Sequence, residues 1–266
     1  MKIYNAFGIT PTNSFVSAGS DYYIPNLDTD IKKQRAYKAF EKSYSKTTEE
    51  INEIISAFNE IITQEHKYEK LGNHIANMVH LYLALDNPSN SYYLDTLTTT
   101  LEKVIWFFRA YITYDEKNDK VGIIVHQNDS LFINSGIKIA LDTVLSDKVA
   151  PRPSDAVKLL RMLGIGVAGL YVNKSGMGNK GWDVRACLVD EDYAGFVHLS
   201  MAFTKPTIDG KHISKRTIYC GDKLTQMMLI PVFHTQYVEV DENEYNIIMK
   251  KSERGDSGFG SQDIKH

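Results

Sequence analysis

The sequence predicts a mainly β domain interrupted near its start by a block of helices, α+β overall. Three observations carry this reading. Residues 1–25 and 119–250 hold short β-type runs separated by turn residues. Residues 26–118 instead repeat apolar side chains at helical spacing. The first β segment is too short to fold alone, so the two β stretches are expected to form one discontinuous domain. Short strands at close spacing fit a sandwich, jelly roll or barrel.

Residues 1–25 mix Gly, Ser, Thr and Tyr with short apolar patches, which reads as strand and loop. Residues 28–43 form a polar, lysine-rich helix candidate. Thr47 and Glu50 offer a capping box, after which Ile51, Ile54, Ile55, Phe58, Ile61 and Ile62 mark one helical face. A further helix is expected over 71–85, stopping before Asp86-Asn87-Pro88-Ser89, and a last one over 92–112. Strands are expected at 121–125, 131–133 and 137–141, then a short helix at 155–163. The remaining strands fall at 167–172, 184–189, 197–203, 227–232 and 237–240. Residues 251–266 are polar and glycine-containing, and read as a flexible lid.

Composition narrows the function classes. With 30 Lys and Arg against 33 Asp and Glu, the net charge is −3, which gives no reason to expect nucleic acid as a partner. An anionic ligand would have to be held by local groups. Two cysteines, Cys187 and Cys220, build no disulfide framework and fit a reducing compartment. No basic stretch leads into an apolar run at the N-terminus, and no apolar stretch approaches the roughly 20 residues that span a bilayer. A cytoplasmic protein with no membrane partner is expected.

Five segments could carry chemistry, though each also has a plain reading as turn, loop or tail. Ser17-Ala18-Gly19-Ser20-Asp21-Tyr22-Tyr23 places one carboxylate among small residues. Lys174-Ser175-Gly176-Met177-Gly178-Asn179-Lys180-Gly181 sets cations, a hydroxyl and glycines after an apolar run, a composition able to cradle phosphate oxygens. Val189-Asp190-Glu191-Asp192-Tyr193-Ala194-Gly195 groups three carboxylates, which can raise one another's pKa, bind a divalent ion or activate water. In Gly221-Asp222-Lys223-Leu224-Thr225-Gln226, a turn plus strand, Gln226 alone is expected to face a site. Arg254-Gly255-Asp256-Ser257-Gly258-Phe259-Gly260-Ser261 sets a cation and an aromatic ring among glycines, as a lid over a nucleotide would. Elsewhere, Glu50 and Glu53 lack a matching acidic pair, and His66, His74 and His80 lack metal-ligand spacing.

In this order the five segments resemble the five motifs of the homotrimeric dUTPase (dUTP nucleotidohydrolase) family, over residues 17–23 and 133–261. The resemblance implies a jelly-roll-like β-clip fold and a homotrimer whose three active sites are each built from three chains. It implies hydrolysis of dUTP to dUMP and pyrophosphate, with Mg²⁺ on the triphosphate. By position, Asp190 would be the general base and Gln226 would touch the α-phosphate and the attacking water. Tyr193 would pack on the deoxyribose while the backbone of 184–189 reads uracil. Lys174, Ser175 and Gly176 would hold phosphate oxygens. Asp21 would support the metal's water shell or the cationic partner of the second motif. Arg254 would meet the γ-phosphate, Phe259 would cover the base, and Gly260 and Ser261 would donate to phosphate.

The sequence also departs from the family pattern. Lys174 stands where the family usually has Arg, the loop 180–190 is a few residues short, Val184 replaces an Asn, and Ala194 replaces an Arg. These changes lie near the base-reading hairpin. They leave open a pyrophosphatase for another pyrimidine deoxynucleotide such as dCTP, the related dCTP deaminase group, or a regulatory binding module. The helical block 26–118 has no counterpart in the minimal family. It is expected to pack on the β core, with a protein partner as its alternative use.

Overall fold

The computed structural model describes residues 1–13, 17–86, 88–141, 159, 162–204, 207–208, 210–235 and 237–250. The chain divides into two units, Met1–Val232 and Phe233–His266. In the first unit the described strands form antiparallel sheets. One sheet runs β1 (Lys2–Asn5), β6 (Ser130–Ala140), β10 (Phe196–Phe203), β8 (Trp182–Ala186), with β3 (Leu85–Asp86) also on β6. A second runs β2 (Ser20–Tyr23), β14 (Lys223–Phe233), β7 (Ile165–Asn173), β9 (Leu188–Val189). A third runs β13 (Lys215–Tyr219), β5 (Lys120–His126), β4 (Ile112–Asp115), and β11 (Thr207–Ile208) pairs with β12 (Lys211–His212).

The two strands expected at 131–133 and 137–141 are one, β6. It passes the chain through Gly136 at φ +72°, where a Cβ would lie 2.5 Å from the Gly8 nitrogen and 2.7 Å from the Phe7 ring. Only glycine tolerates both the left-handed backbone and that approach. The helix expected at 155–163 falls mostly outside the described residues.

Between β2 and β4 the chain is helical. Thr29 caps α1 (Asp30–Ser43), and the Thr47–Glu50 capping box starts α2 (Thr48–Gln64) as expected. A 3-10 turn, His66–His74, leads into α3 (Ile75–Ala84). The single helix expected over 92–112 is two, α4 (Pro88–Thr96) and α5 (Thr100–Tyr111), because Thr99 and Glu102 form a second capping box. Among the described residues, no helix is long and apolar enough to cross a membrane.

These helices share one apolar core with the sheets, in which Phe40, Phe58, Leu81 and Val104 join Phe7, Ile123, Leu131 and Trp182. Polar contacts fix the seam. Asn134 on β6 donates through its side chain to Ser43 Oγ (2.9 Å) and through its backbone to Tyr44 Oη (3.2 Å). Buried Asn77 on α3 accepts from the Leu27 amide at 2.9 Å, pinning the chain just after β2.

In the second unit the strand expected at 237–240 is absent, and α7 (Glu242–Met249) follows instead. Asp241 caps it by accepting from the Glu244 amide at 2.8 Å. None of its residues is buried.

His80 on α3 is the costly residue at the seam. It is 0 % exposed, lies flat on Phe40 at 5.1 Å, and neither ring nitrogen has a hydrogen-bond partner among the described residues. Burial, with His198 nearby, holds its pKa down at about 3. Burial also lowers His198, although the Phe196 carbonyl that its Nδ1 meets at 2.9 Å opposes this. A histidine that is harder to protonate when folded favours folding above its unfolded pKa of about 6.5 and loses that contribution as pH falls towards 3. His80→Phe keeps the stack and removes two orphaned nitrogens. It is expected to stabilise the protein by about 1–2 kcal/mol at pH 7.5 and to flatten the loss of stability between pH 6.5 and 5. Urea unfolding at both pH values reads this, and a variant less stable than wild type at pH 7.5 contradicts it.

Candidate active site

The second sheet brings three remote segments to one carboxylate. Gln226 on β14 pairs directly across from Asp21 on β2, and Lys223 pairs with Tyr23. Residues three apart on a regular strand point to opposite faces, yet both Lys223 and Gln226 reach Asp21. A register shift between Lys223 and Thr225 resets the alternation, as a bulge does. Gln226 Nε2 donates to Asp21 Oδ1 at 3.1 Å, and Lys223 Nζ lies 2.9 Å from Oδ2. Lys174, just past β7, places Nζ 2.9 Å from Oδ1 and 3.2 Å from Oδ2. Thr225 Oγ1 donates to the Val172 carbonyl at 2.6 Å, tying β14 to the end of β7 beside Lys174.

The turn ahead of Lys223 is equally fixed. Gly221 adopts φ +85°, its amide donates to the Ile24 carbonyl at 2.9 Å, and the Ile24 amide donates to the Asp222 carbonyl at 3.0 Å.

Asp21 is 8 % exposed. Burial raises its pKa, but the hydrogen bonds from Lys174, Lys223 and Gln226 outweigh that and hold the carboxyl below its usual range. In return, the Asp21 contact raises the Lys223 pKa. Two ammonium groups on one carboxylate leave an unbalanced positive charge, suited to an anionic ligand. The same neutralisation leaves Asp21 little to offer a divalent cation. Among the described residues no three His, Cys, Asp or Glu side chains gather as a metal cage.

The segment after Lys174 was expected as a glycine-rich loop and is a short helix, α6 (Ser175–Asn179). Its buried Met177 anchors it, and the Met177 and Gly178 amides donate to the Lys174 carbonyl at 2.7 and 2.9 Å. Ser175 and Gly176 are exposed, and a Cβ on Gly176 would meet nothing within 4 Å. A ligand can approach that backbone closely.

Asp190 and Tyr193 stand elsewhere. β9 runs antiparallel to β7, with Val189 opposite Gly169 and Leu188 opposite Leu170. Asp190 therefore flanks the Ala168 end of β7, while Lys174 lies beyond the other end. Six residues of strand separate the two, about 20 Å. Tyr193 is 42 % exposed and its hydroxyl donates to the Phe196 carbonyl at 2.7 Å. Its ring lies over Gly195, where a Cβ would come 2.6 Å from the ring's Cζ. Asn173, not singled out in the sequence, orders the start of the hairpin 184–189. It accepts from the Val184 amide at 2.9 Å and donates to Asp183 at 3.2 Å. Arg254, Phe259, Gly260 and Ser261 lie outside the described residues.

Asp21→Asn keeps the shape and removes the charge, leaving two ammonium groups facing each other. The Asp21 contribution is present above the unfolded carboxyl pKa and is lost as pH falls through the lowered folded value. The variant is therefore expected to melt below wild type at pH 7, with the gap closing under pH 4. Equal melting temperatures at pH 7 would contradict this.

No family model matches the chain. The deoxyuridine 5′-triphosphate nucleotidohydrolase of Shewanella oneidensis is 29 % identical over 135 residues, covering 48 % of this chain and 79 % of its own length. That of Gamma-proteobacterium EBAC31A08 is 31 % identical over 102 residues, covering 37 % and 64 %. Among solved structures, a dUTPase of Staphylococcus bacteriophage 80alpha with dUpNHpp aligns with a TM-score of 0.37 and 16 % identity over 57 % of this chain and 90 % of its own. A variant dUTPase from phage phi11 of S. aureus, which coordinates a structural Mg(II) ion, gives 0.31 and 15 % over 50 % and 90 %. By sequence, the chain is a relative of the deoxyuridine 5′-triphosphate nucleotidohydrolases.

Proposed function

We propose that this chain is a dUTP diphosphatase, hydrolysing dUTP to dUMP and pyrophosphate. The observation that carries the reading is the convergence of Asp21, Lys174 and Gln226, from three of the five motif-like segments, within 3.1 Å of one another through a single carboxylate. Lys174, with Ser175 and Gly176 beside it, receives the phosphate chain. Gln226 holds the α-phosphate and the attacking water.

The base comes from a second copy. Asp190 is about 20 Å along the sheet from Lys174, so one chain cannot bring both to the same phosphorus. A homotrimer that apposes the two ends of neighbouring sheets fits this geometry. Water attacks the α-phosphorus as Asp190 takes its proton. The bond from the α-phosphorus to the bridging oxygen breaks, and pyrophosphate leaves with that electron pair. Catalysis is then positioning and charge neutralisation. Tyr193, braced by the Phe196 carbonyl, packs on the deoxyribose and excludes a 2′-hydroxyl, while the backbone of 184–189 reads the base. Arg254, Phe259, Gly260 and Ser261 close over the nucleotide. Mg²⁺ enters with the triphosphate, held by phosphate oxygens and water, and offsets their charge.

The Val184 amide is engaged by Asn173, within the hairpin that departs from the family pattern. That favours, as a second reading, the same reaction on another pyrimidine deoxynucleotide. Pyrophosphate release with Mg²⁺ from dUTP, dCTP, dTTP and UTP, each alone, separates the two. Selective turnover of dUTP is expected, turnover of dCTP instead selects the second reading, and none on any overturns both. Asp190→Asn is expected to lower kcat roughly 10²–10⁴-fold while binding of a non-hydrolysable dUTP analogue stays within a few-fold. Unchanged kcat would remove Asp190 from the role of base.

A further inference from the structure

We propose that Lys223 is a second phosphate-binding cation of this site, coupled to Lys174 through Asp21 so that the two ammonium groups clamp one polyphosphate chain. The proposal rests on the pyrophosphatase reading and deepens it. Sequence alone pointed to Gln226 as the one polar group of its segment facing the site. The bulge after Lys223 turns a second side chain to the same face.

The placement is specific. Lys174 and Lys223 each hold a nitrogen 2.9 Å from a different oxygen of one carboxylate. The Asp21 side chain beneath them is 11 % exposed, while those of Lys174 and Lys223 are 31 % and 47 % exposed. The anion is thus buried and its cations face solvent, an arrangement that neutralises itself incompletely on the outer side. The Tyr23 ring lies 5.8 Å from the Lys223 nitrogen, and the Gly221 turn locked to Ile24 fixes where the lysine starts. A lone lysine at position 174 is a point charge and lacks the planar two-point grip of an arginine. Two lysines held on one carboxylate supply two separated donors and recover that grip.

The test is calorimetric binding of inorganic tripolyphosphate to the full-length protein, with nucleotide kinetics alongside. Lys223→Ala is expected to weaken tripolyphosphate about tenfold, the loss of one charge-assisted contact, and to make binding less salt-dependent. Lys223→Arg is expected to stay within about threefold. On the nucleotide, Lys223→Ala should raise KM about tenfold with kcat little changed. Wild-type binding of tripolyphosphate that Lys223→Ala leaves unchanged would overturn the clamp, as would no wild-type binding at all. Equal loss in the Ala and Arg variants, tracking a lowered melting temperature, would make Lys223 a structural partner of Asp21 only and overturn it too. Weakened tripolyphosphate binding in a protein that hydrolyses no nucleotide would support the clamp and remove the pyrophosphatase reading, so the two fail separately.

Discussion

A carboxylate taken out of water must be repaid by donors, and Asp21 finds three of them on segments far apart in the sequence. Lys174 arrives from the end of β7, and Lys223 and Gln226 arrive from β14. None of these contacts forms unless β2, β14 and β7 are already in register. The strand that carries Asp21 is in turn held at its far end by the helices, where Asn77 accepts from Leu27. One ionic cluster therefore staples the sheet and, because its cations outnumber its anion, leaves the positive charge on which the rest of the site depends.

The sheet that assembles this cluster also divides the proposed machinery. Antiparallel pairing of β7 and β9 sends Lys174 and Asp190 to opposite ends. It explains why Asp190 and Tyr193 stand exposed in a single chain while Asp21 is buried. The helices are no separate appendage, since Phe40 and Leu81 belong to the same core as Ile123 and Trp182. Their joint with β6 carries both its polar pins, Asn134 and Tyr44, and its least comfortable residue, His80.

Much of this was legible in the sequence, wherever the cause is local. The Thr47–Glu50 box and the spacing of Ile51, Ile54, Phe58 and Ile61 are decided within a few residues, and α2 follows them. The break between α4 and α5 was also written, in Thr99 and Glu102, but the apolar spacing on either side masked it. Asp241 and Glu244 similarly announced α7, against the β-type look of the residues before it. The role of Lys223 was not legible. A bulge is a relation between two strands, and nothing in Gly221-Asp222-Lys223-Leu224-Thr225-Gln226 says that its partner will skip a residue. Asn173 was hidden for the same reason, because its partners Asp183 and Val184 meet it only after the chain turns back.

The central claim is that the cationic cluster and the Asp190 carboxylate work together only across copies of the chain. Complementation tests it most directly. Lys174→Ala and Asp190→Asn, each inactive alone, are unfolded together, refolded as a mixture and assayed for pyrophosphate release from dUTP. The account predicts recovered activity in the mixture, since a site taking Lys174 from one chain and Asp190 from the other is intact. A mixture that forms mixed assemblies yet stays as inactive as its two components would contradict it.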